Sequence, residues 1–267
     1  MLIFDFRLAA EHDPLQKSAI VIHHSSFIIS PVPPGLLIVR TFIVQFFVLR
    51  DGDALYLIDT GFLGGRAALT KALQAHGWDH LPICGILLTH GHLDHVLNAP
   101  ALAREHHAWI AGPEGDLEHF ENRARYTGWG RVAGISEWIG RRLLRMPAFR
   151  PDQLLHDGDE LPIWGGLRVV ALPGHTHGHC GFYSAKHRLL FSGDLFATAP
   201  FGPHIAPKFL NQNNAAAYPS THCAVELSLQ GTLPSSNSVN KWITIDGKHT
   251  SVQFFYCAAN TIQIQSK

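Results

Sequence analysis

Apolar runs separated by polar turn residues predict a β-hairpin near the start of the chain. Residues 41–49 and 54–58 are rich in β-branched, aromatic and aliphatic side chains, a composition typical of strands. Residues 50–53 between them contain an Asp-Gly pair, which favours the tight turn of a hairpin. Residues 19–29 have a similar composition and predict one or two further strands.

The apolar positions that follow predict helices that alternate with strands. Apolar residues recur three and four positions apart within 66–76, and Gly77 ends this predicted helix. An apolar run at 81–88 predicts a strand, 96–106 a second helix, and 108–111 another short strand. Strands that alternate with helices in this way predict a sheet covered by helices.

Residues 115–150 interrupt this order, and we interpret them as a helical cap inserted over a site. Helical segments are predicted around 117–126 and 135–146. The cap has a local positive surplus, since it contains four acids and seven arginines: Arg123, Arg125, Arg131, Arg141, Arg142, Arg145 and Arg150. This surplus either attracts an anionic substrate or forms a solvated helix face. Strands then resume at the following residues: 160–163, 167–172, 180–184 and 188–191.

Length and composition limit the number of domains and the classes of partner. A chain of 267 residues, 46% of them hydrophobic, is able to bury the core of one large domain, and we expect a single domain over 1–267. Lysine plus arginine and aspartate plus glutamate number 21 each. This balanced charge argues against nucleic acid or a membrane surface as a partner and leaves a small-molecule substrate.

Cysteine usage and apolar segment lengths predict a cytoplasmic location. Four cysteines lie far apart without a Cys-x-x-Cys pair: Cys84, Cys180, Cys223 and Cys257. This spacing argues against a cysteine zinc site or a dense disulfide framework. Residues 1–13 lack the basic segment and apolar run of a secretory signal. The longest apolar stretch, 36–49, contains Arg40 and Gln45 and is too short to span a bilayer.

Three histidines and an aspartate follow the predicted strand at 81–88: His90, His92, Asp94 and His95. Alternate residues of an extended chain point the same way, so His90 and His92 are able to bind one ion while Asp94 and His95 face a second. Buried imidazoles and carboxylates are costly unless a metal or hydrogen bonds satisfy them. The alternative is a polar surface loop in a histidine-rich protein, and we favour a metal site.

Residues 89–95, Thr-His-Gly-His-Leu-Asp-His, resemble the His-x-His-x-Asp-His signature of the metallo-β-lactamase-fold hydrolases. The resemblance extends from residue 36 to residue 214. It implies an α/β fold of the αββα sandwich type, with two mixed β-sheets packed face to face and helices outside. It also implies that Asp59 hydrogen-bonds a metal-ligating histidine; a turn aspartate beside Gly61 is the alternative.

A second histidine cluster fits the same resemblance. Residues 173–179 match the family's Pro-Gly-His-Thr-x-Gly-His segment, which implies that His175 is the third ligand of the first ion and that His179 gives hydrogen-bond support. His177 lies at a variable position and receives no role. Asp194 matches the family's bridging carboxylate. One carboxylate is able to hold two ions about 3.5–4 Å apart, which is why an aspartate is expected between two metal ions.

A complete dinuclear site needs one more ligand from the last part of the chain. The family uses a late histidine, and this chain offers three: His204, His222 and His249. We assign His249 to the second ion, because 242–245 predicts a strand and Asp-Gly after it a turn. Yet Gly-Lys-His stands where Gly-His is expected. Residues 215–267 are rich in Ser, Thr, Asn and Gln and atypical of the family.

The resemblance implies a metal-dependent hydrolase that uses a metal-activated hydroxide on an ester, thioester or lactone. The expected cofactors are two zinc ions, with iron or manganese as alternatives. Asp94 is the expected catalytic residue, which orients the hydroxide or shuttles its proton. Two rival hypotheses are a mononuclear iron enzyme that oxidises persulfides and a metal-binding protein with an incomplete, inactive site.

Overall fold

A computed structural model describes residues 21–23, 32–41, 43–124, 126, 130–197, 204–205, 210–227, 231–234 and 242–244. Its strands are β1 (Val21–His23), β2 (Leu36–Arg40), β3 (Gln45–Asp51), β4 (Ala54–Ile58), β5 (Ile83–Leu87), β6 (Trp109–Pro113), β7 (Gln153–Leu155), β8 (Glu160–Leu161), β9 (Leu167–Ala171), β10 (Cys180–Ser184), β11 (Leu189–Gly193), β12 (Phe196–Ala197), β13 (His204–Ile205), β14 (Gly231–Pro234) and β15 (Trp242–Thr244). Its α-helices are α1 (Gly65–Ala75), α2 (Leu93–Val96), α3 (Ala99–His106), α4 (Leu117–Phe120), α5 (Gly130–Leu143) and α6 (Asn214–Leu227).

Most of the described strands form two mixed sheets. The first sheet has the order β2-β3-β4-β5-β6-β7; β2, β3 and β4 are antiparallel, whereas β4 to β7 run parallel. The second sheet has the order β14-β11-β10-β9-β8, and its strands are antiparallel except for the parallel pair β11 and β14. Two further strand pairs, β1 with β15 and β12 with β13, are antiparallel.

The predicted hairpin corresponds to β3 and β4, and a further antiparallel strand, β2, precedes it. The second predicted strand coincides with β4, whereas the first, 41–49, begins four residues before β3. A turn separates β2 from β3, in which both the backbone N–H and the hydroxyl of Thr41 donate to the carbonyl of Val44, at 2.8 and 2.7 Å. Because the apolar composition continues through this turn, the predicted strand includes it, and β2 was not predicted as a strand.

The predicted helix at 96–106 corresponds to α3, which begins at Ala99, and a separate short helix, α2, precedes it. Leu97 and Asn98 lie between the two helices. The Asn98 side-chain amide donates to three carbonyl oxygens, those of Thr60, Gly61 and Phe62, at 2.9–3.1 Å. These bonds join the start of α3 to the loop that follows β4.

A buried core fills the space between the two sheets. Along β3, Phe47 and Leu49 face this core, whereas the alternating residues Phe46 and Val48 face the opposite side. This alternation is the two-residue period of a strand. The ring centroids of Phe47 and Phe191, one from each sheet, lie 5.1 Å apart. The two sheets therefore pack face to face.

Helices cover the outer faces of both sheets. Leu69 of α1 and Leu102 of α3 share a buried cluster with the outer face of the first sheet. Ala224 of α6 shares another with Leu172 and Leu190 of the second sheet. The layers are thus helix, sheet, sheet and helix, which confirms the predicted αββα sandwich.

Helix α6 and strand β14 lie in the segment that composition marked as atypical. Asn213 caps α6, since its side-chain oxygen accepts the N–H groups of Ala215 and Ala216 at 3.1 and 3.2 Å. Strand β14 pairs with β11 in parallel. Residues 215–227 and 231–234 of this segment therefore contribute to the fold. None of the helices described is both long and apolar enough to cross a membrane.

Truncation of Phe182 to alanine is expected to lower the free energy of unfolding by about 3–5 kcal/mol, as for other fully buried phenylalanines. The side chain is 0% exposed and lies in the core between the sheets. Chemical denaturation followed by circular dichroism measures the change. Leu63→Ala is the control, because Leu63 is 54% exposed; equal losses for both variants would contradict the assignment of this core.

Candidate metal centre

Loops from both sheets meet at one edge of the sandwich. In the first sheet, Asp59, His90 and Asp116 lie just past the carboxyl ends of β4, β5 and β6. In the second sheet, His175 follows β9 and Asp194 follows β11. Because β4, β5 and β6 run parallel, their carboxyl ends share one edge, and the polar side chains that follow them converge there.

His90, His92 and His175 form a first group of metal-ligand types. One ring nitrogen of each lies within 4.8 Å of the others. The Nδ1 atom of His92 faces the Nε2 atom of His175 at 2.8 Å. His90 and His175 are buried and His92 is half-buried, so the structure brings together the three histidines assigned to the first ion.

A second group consists of His90, His95 and Asp194, again within 4.8 Å of one another. The His95 Nε2 atom lies 3.4 Å from Asp194 Oδ1, and the His175 Nε2 atom lies 3.7 Å from Asp194 Oδ2. Asp194 therefore lies between the two groups. Asp94 is outside this triad but close to it, with its Oδ2 atom 3.7 Å from His95 Nε2.

Hydrogen bonds fix which ring nitrogens carry lone pairs. The Thr89 hydroxyl donates to the Asp59 carboxylate at 2.8 Å, so its oxygen accepts the Nδ1–H of His90 at 3.0 Å. The Asp59 carboxylate also accepts the Nδ1–H of His95 at 2.9 Å. In their neutral forms, His90 and His95 therefore both present an unprotonated Nε2 to the centre.

These lone pairs are buried without a hydrogen-bond partner. Within the described part of the chain, His90 Nε2, His95 Nε2 and Asp194 Oδ1 have no hydrogen-bond partner although each atom is fully buried. A buried polar atom that lacks a partner is costly, and a cation would satisfy all three at once. Imidazole nitrogen and carboxylate oxygen are the donor set that zinc and similar divalent ions prefer, so the residues fit a metal ion.

Electrostatics keep the first group neutral. Burial, together with the surrounding imidazoles, lowers the pKa of His90 well below 6.5. Burial also lowers the pKa of His92 and of His175 well below 6.5, with nearby imidazoles adding to the effect. Neutral imidazole is the form that binds a metal ion, and these rings need not lose a proton near neutral pH to do so.

The second group is more strongly coupled. Burial opposes charge on His95, but the carboxylates of Asp194, Asp94 and Asp59 raise its pKa well above 6.5. Burial likewise opposes charge on Asp194, yet the nearby imidazoles, His95 first among them, hold its pKa well below 3.8. Burial raises the pKa of Asp94 to about 6, with His95 opposing the rise and Asp194 adding to it. The pocket thus stabilises a cation next to Asp194.

Asp59 and His179 hold residues of the two groups in place. Asp59 is fully buried with a φ of 60°, a left-handed conformation that is costly outside glycine. Its carboxylate accepts the backbone N–H of Thr89 at 2.8 Å in addition to the bond from His95. His179 donates from Nδ1 to the Leu172 carbonyl and accepts the Asp194 backbone N–H at Nε2. Both His179 nitrogens are therefore engaged, which leaves neither for a metal ion.

Asp116 is a residue of this centre that the sequence analysis counted only as an acid of the cap. Its side chain is fully buried and accepts three hydrogen bonds, from Gly91 N at 2.8 Å, Thr176 Oγ1 at 2.7 Å and Gly178 N at 2.8 Å. It thus ties the loop of His90 and His92 to the loop of His175. Its place just past the carboxyl end of a third parallel strand was the available signal.

The cap contacts the centre through α5. Arg141 is buried, donates to the carbonyl of Gly91 and to the Asn122 side chain, and pairs with Glu137. Its charge is therefore engaged inside the protein. Two other cap arginines pair with one half-buried acid: Arg123 and Arg150 with Glu121. These pairings do not favour the cap arginines as an anion-binding cluster.

The late histidines contribute no described ligand. His249, assigned to the second ion, lies outside the described residues, so that assignment stays a prediction. The backbone of His204 forms part of β13, and His222 lies in α6. His177, which received no role, is exposed. The described second group therefore rests on His90, His95 and Asp194 with Asp94 beside them.

The sequence of this chain is similar to those of known metallo-hydrolases. The profile of the metallo-beta-lactamase superfamily matches residues 39–229. A hydroxyacylglutathione hydrolase of Aeromonas hydrophila is 37% identical over 112 residues, which cover 41% of this chain and 37% of that protein. A probable metallo-hydrolase of Bacillus subtilis is 30% identical over 156 residues, 58% of this chain and 63% of that protein. The chain thus matches less than two thirds of the length of either relative.

Solved structures agree on the fold. A metallo-beta-lactamase family protein from Thermus thermophilus superposes with a TM-score of 0.59 at 24% identity and covers 76% of this chain and 74% of that one. A subclass B3 metallo-beta-lactamase of Bradyrhizobium japonicum superposes with a TM-score of 0.56 at 19% identity, over 76% and 75%. Since the superfamily profile spans 39–229 and the two-sheet sandwich is the fold of these proteins, this chain belongs to the metallo-beta-lactamase superfamily.

Proposed function

We propose that this protein is a metal-dependent hydrolase that acts on a thioester or a related ester or lactone. The observation that carries the proposal is the convergence of three buried atoms without hydrogen-bond partners among the described residues: His90 Nε2, His95 Nε2 and Asp194 Oδ1. His90, His92 and His175 would hold one ion, and His95, Asp94 and Asp194 would hold a second, with His249 as a further candidate ligand. Two zinc ions suit this donor set best, and iron or manganese would also fit.

Divalent ions bound at this centre would supply an acidified water and polarise the scissile carbonyl. Residues of the chain itself would orient the ligands and accept or donate protons. Asp94 is half-buried, with its Oδ2 atom 3.7 Å from His95 Nε2, so it lies where a carboxylate orients the attacking water or accepts its proton. Asp59 keeps His95 in the Nδ1–H tautomer, and His179 orients Asp194 through its backbone.

The substrate class rests on the sequence relatives. Relatives named hydroxyacylglutathione hydrolase occur in Aeromonas hydrophila and Haemophilus influenzae, at 37% and 33% identity. A hydroxyacylglutathione is a thioester, which supports a thioester as the first substrate to assay. We also propose that the chain forms a single domain and that the protein is cytoplasmic.

Metal removal is expected to abolish hydrolysis of a hydroxyacylglutathione thioester, with a loss of at least about 100-fold, because the ions contribute several kcal/mol of charge stabilisation. The measurement is thiol release before and after dialysis against a chelator, followed by readdition of zinc, manganese or iron. Elemental mass spectrometry of the same samples gives the metal content per chain.

Matched oxygen-ester and lactone substrates separate the three substrate types in this assay. Full activity after complete metal removal would contradict the proposed function. A chain that retains iron, takes up oxygen with a persulfide and releases no thiol would support the rival oxygenase instead. A metal-loaded chain that turns over none of these substrates would support the inactive, incomplete site.

A further inference from the structure

The cap helix reaches the face of His92 that points away from the first group. His92 Nδ1 faces His175, as described above, and the opposite nitrogen, Nε2, lies 4.0 Å from Glu137 Oε2 of α5. Both side chains are nearly enclosed, with 15% and 11% of their surface exposed. Glu137 is therefore the carboxylate next to the outer nitrogen of a candidate ligand.

Glu137 is held in this place by two other side chains of the cap. Arg141 donates from Nε and Nη2 to Oε1 of Glu137, at 2.9 and 2.7 Å, and Tyr126 donates its hydroxyl hydrogen to Oε2. Arg141 also donates to the carbonyl of Gly91, one residue before His92. The same arginine thus fixes the carboxylate and the backbone of the loop that carries His92.

A third metal ion is the obvious alternative, since His92, His119 and Glu137 lie within 4.8 Å of one another. Hydrogen bonds argue against it. The Gln212 amide lies 2.9 Å from His119 Nε2, which accepts its hydrogen, so His119 donates from Nδ1 to the Tyr126 oxygen at 3.3 Å. His119 therefore has no lone pair left for a metal ion, and the group loses one of its three ligands.

We propose that Glu137 is a positioning residue for His92: its carboxylate accepts the Nε2–H of His92 when Nδ1 coordinates the first ion. This inference rests on the proposed function. A metal-ligating histidine commonly donates its other N–H to a carboxylate, which orients the ring and raises its basicity. The 4.0 Å separation is about 1 Å longer than a hydrogen bond, so a small rotation of His92 closes it. The cap thereby becomes part of the metal centre.

The test measures zinc affinity by competition with a chromophoric chelator in wild type, Glu137→Gln and Glu118→Gln. Glutamine preserves the size of residue 137 and an acceptor for Arg141, but it loses the carboxylate charge. We expect affinity about tenfold weaker for Glu137→Gln, as for other carboxylates behind a ligating histidine. Glu118 is an exposed acid of the same cap, and its variant is expected to bind as wild type does.

A second measurement needs no variant. In the zinc-loaded wild type, nitrogen-15 NMR of the histidine rings should show His92 protonated at Nε2, with that proton protected from exchange with water.

Thermal unfolding of metal-free Glu137→Gln separates a loss of stability from a loss of zinc affinity.

The outcomes distinguish the two proposals. Wild type that binds no divalent ion would refute the proposed function, and the role of Glu137 with it. Wild type that binds zinc, together with Glu137→Gln affinity within twofold of it or an unprotected His92 Nε2 proton, would overturn the role of Glu137 alone. Weaker zinc binding in Glu137→Gln with unchanged Glu118→Gln would support it.

Discussion

Replacement of Asp194 by alanine is expected to reduce thioester hydrolysis by about a thousandfold and to lower the metal content of the protein. The carboxylate lies between the two groups of candidate ligands, 3.4 Å from His95 and 3.7 Å from His175. Its loss removes the negative charge that offsets the repulsion of two cations. A loss of about 4 kcal/mol in transition-state stabilisation corresponds to about this factor.

Steady-state kinetics at saturating zinc and elemental analysis after dialysis measure the two effects. Asp53→Ala is the matched control, because Asp53 is an exposed aspartate in the turn between β3 and β4, far from this centre in the fold. Activity of Asp194→Ala within tenfold of wild type, with the metal content unchanged, would contradict the central position assigned to this carboxylate.

Asp116→Ala is expected to destabilise the fold and to weaken metal binding together. Three donors lose their acceptor: Gly91 N, Thr176 Oγ1 and Gly178 N. Each buried donor left without a partner costs about 1–3 kcal/mol, and partial relaxation brings the expected total to about 4 kcal/mol. For a domain of this size, that change lowers Tm by about 8–16 °C.

Differential scanning calorimetry of metal-free protein gives the stability, and chelator competition gives the affinity. Asp116→Asn tests the charge separately, since its one amide oxygen retains an acceptor for part of the network. Asp79→Ala serves as the control, because Asp79 is exposed in the described structure. If Asp116→Ala melts within about 2 °C of wild type, the link between the two loops does not depend on this carboxylate.

Sequence reasoning reached the parts of the centre whose signals are local. Six consecutive positions, in a loop and the start of α2, contain three histidines and an aspartate. The groups found in space include His90, His92 and His95. In this loop and the helix after it, neighbours in sequence are also neighbours in the centre, so composition and spacing carry the information. Asp59 lies 36 positions from its partner His95, and its role was predicted only through the family resemblance.

Contacts between distant segments were not accessible in the same way. Asp116 and Glu137 lie in a stretch whose acids were counted against its arginines, yet each accepts hydrogen bonds inside the protein. Asp116 meets Gly178 across 62 positions of the chain. Such pairs depend on how the two sheets and the cap pack, which a single sequence does not encode locally. The turn between β2 and β3 was missed for another reason: its closing bond, from Thr41 to Val44, is local but lies inside a continuous apolar run.

The candidate ligands are divided between the two sheets. His90 and His92 follow a strand of the first sheet, whereas His175 and Asp194 follow strands of the second. An ion bound by both sets would act as a cross-link along the seam between the sheets. Ligand binding to the folded chain alone adds stability with concentration, by about 2.7 kcal/mol at a hundredfold excess over Kd. The cellular supply of the metal would then set the lifetime of the folded protein as well as its activity.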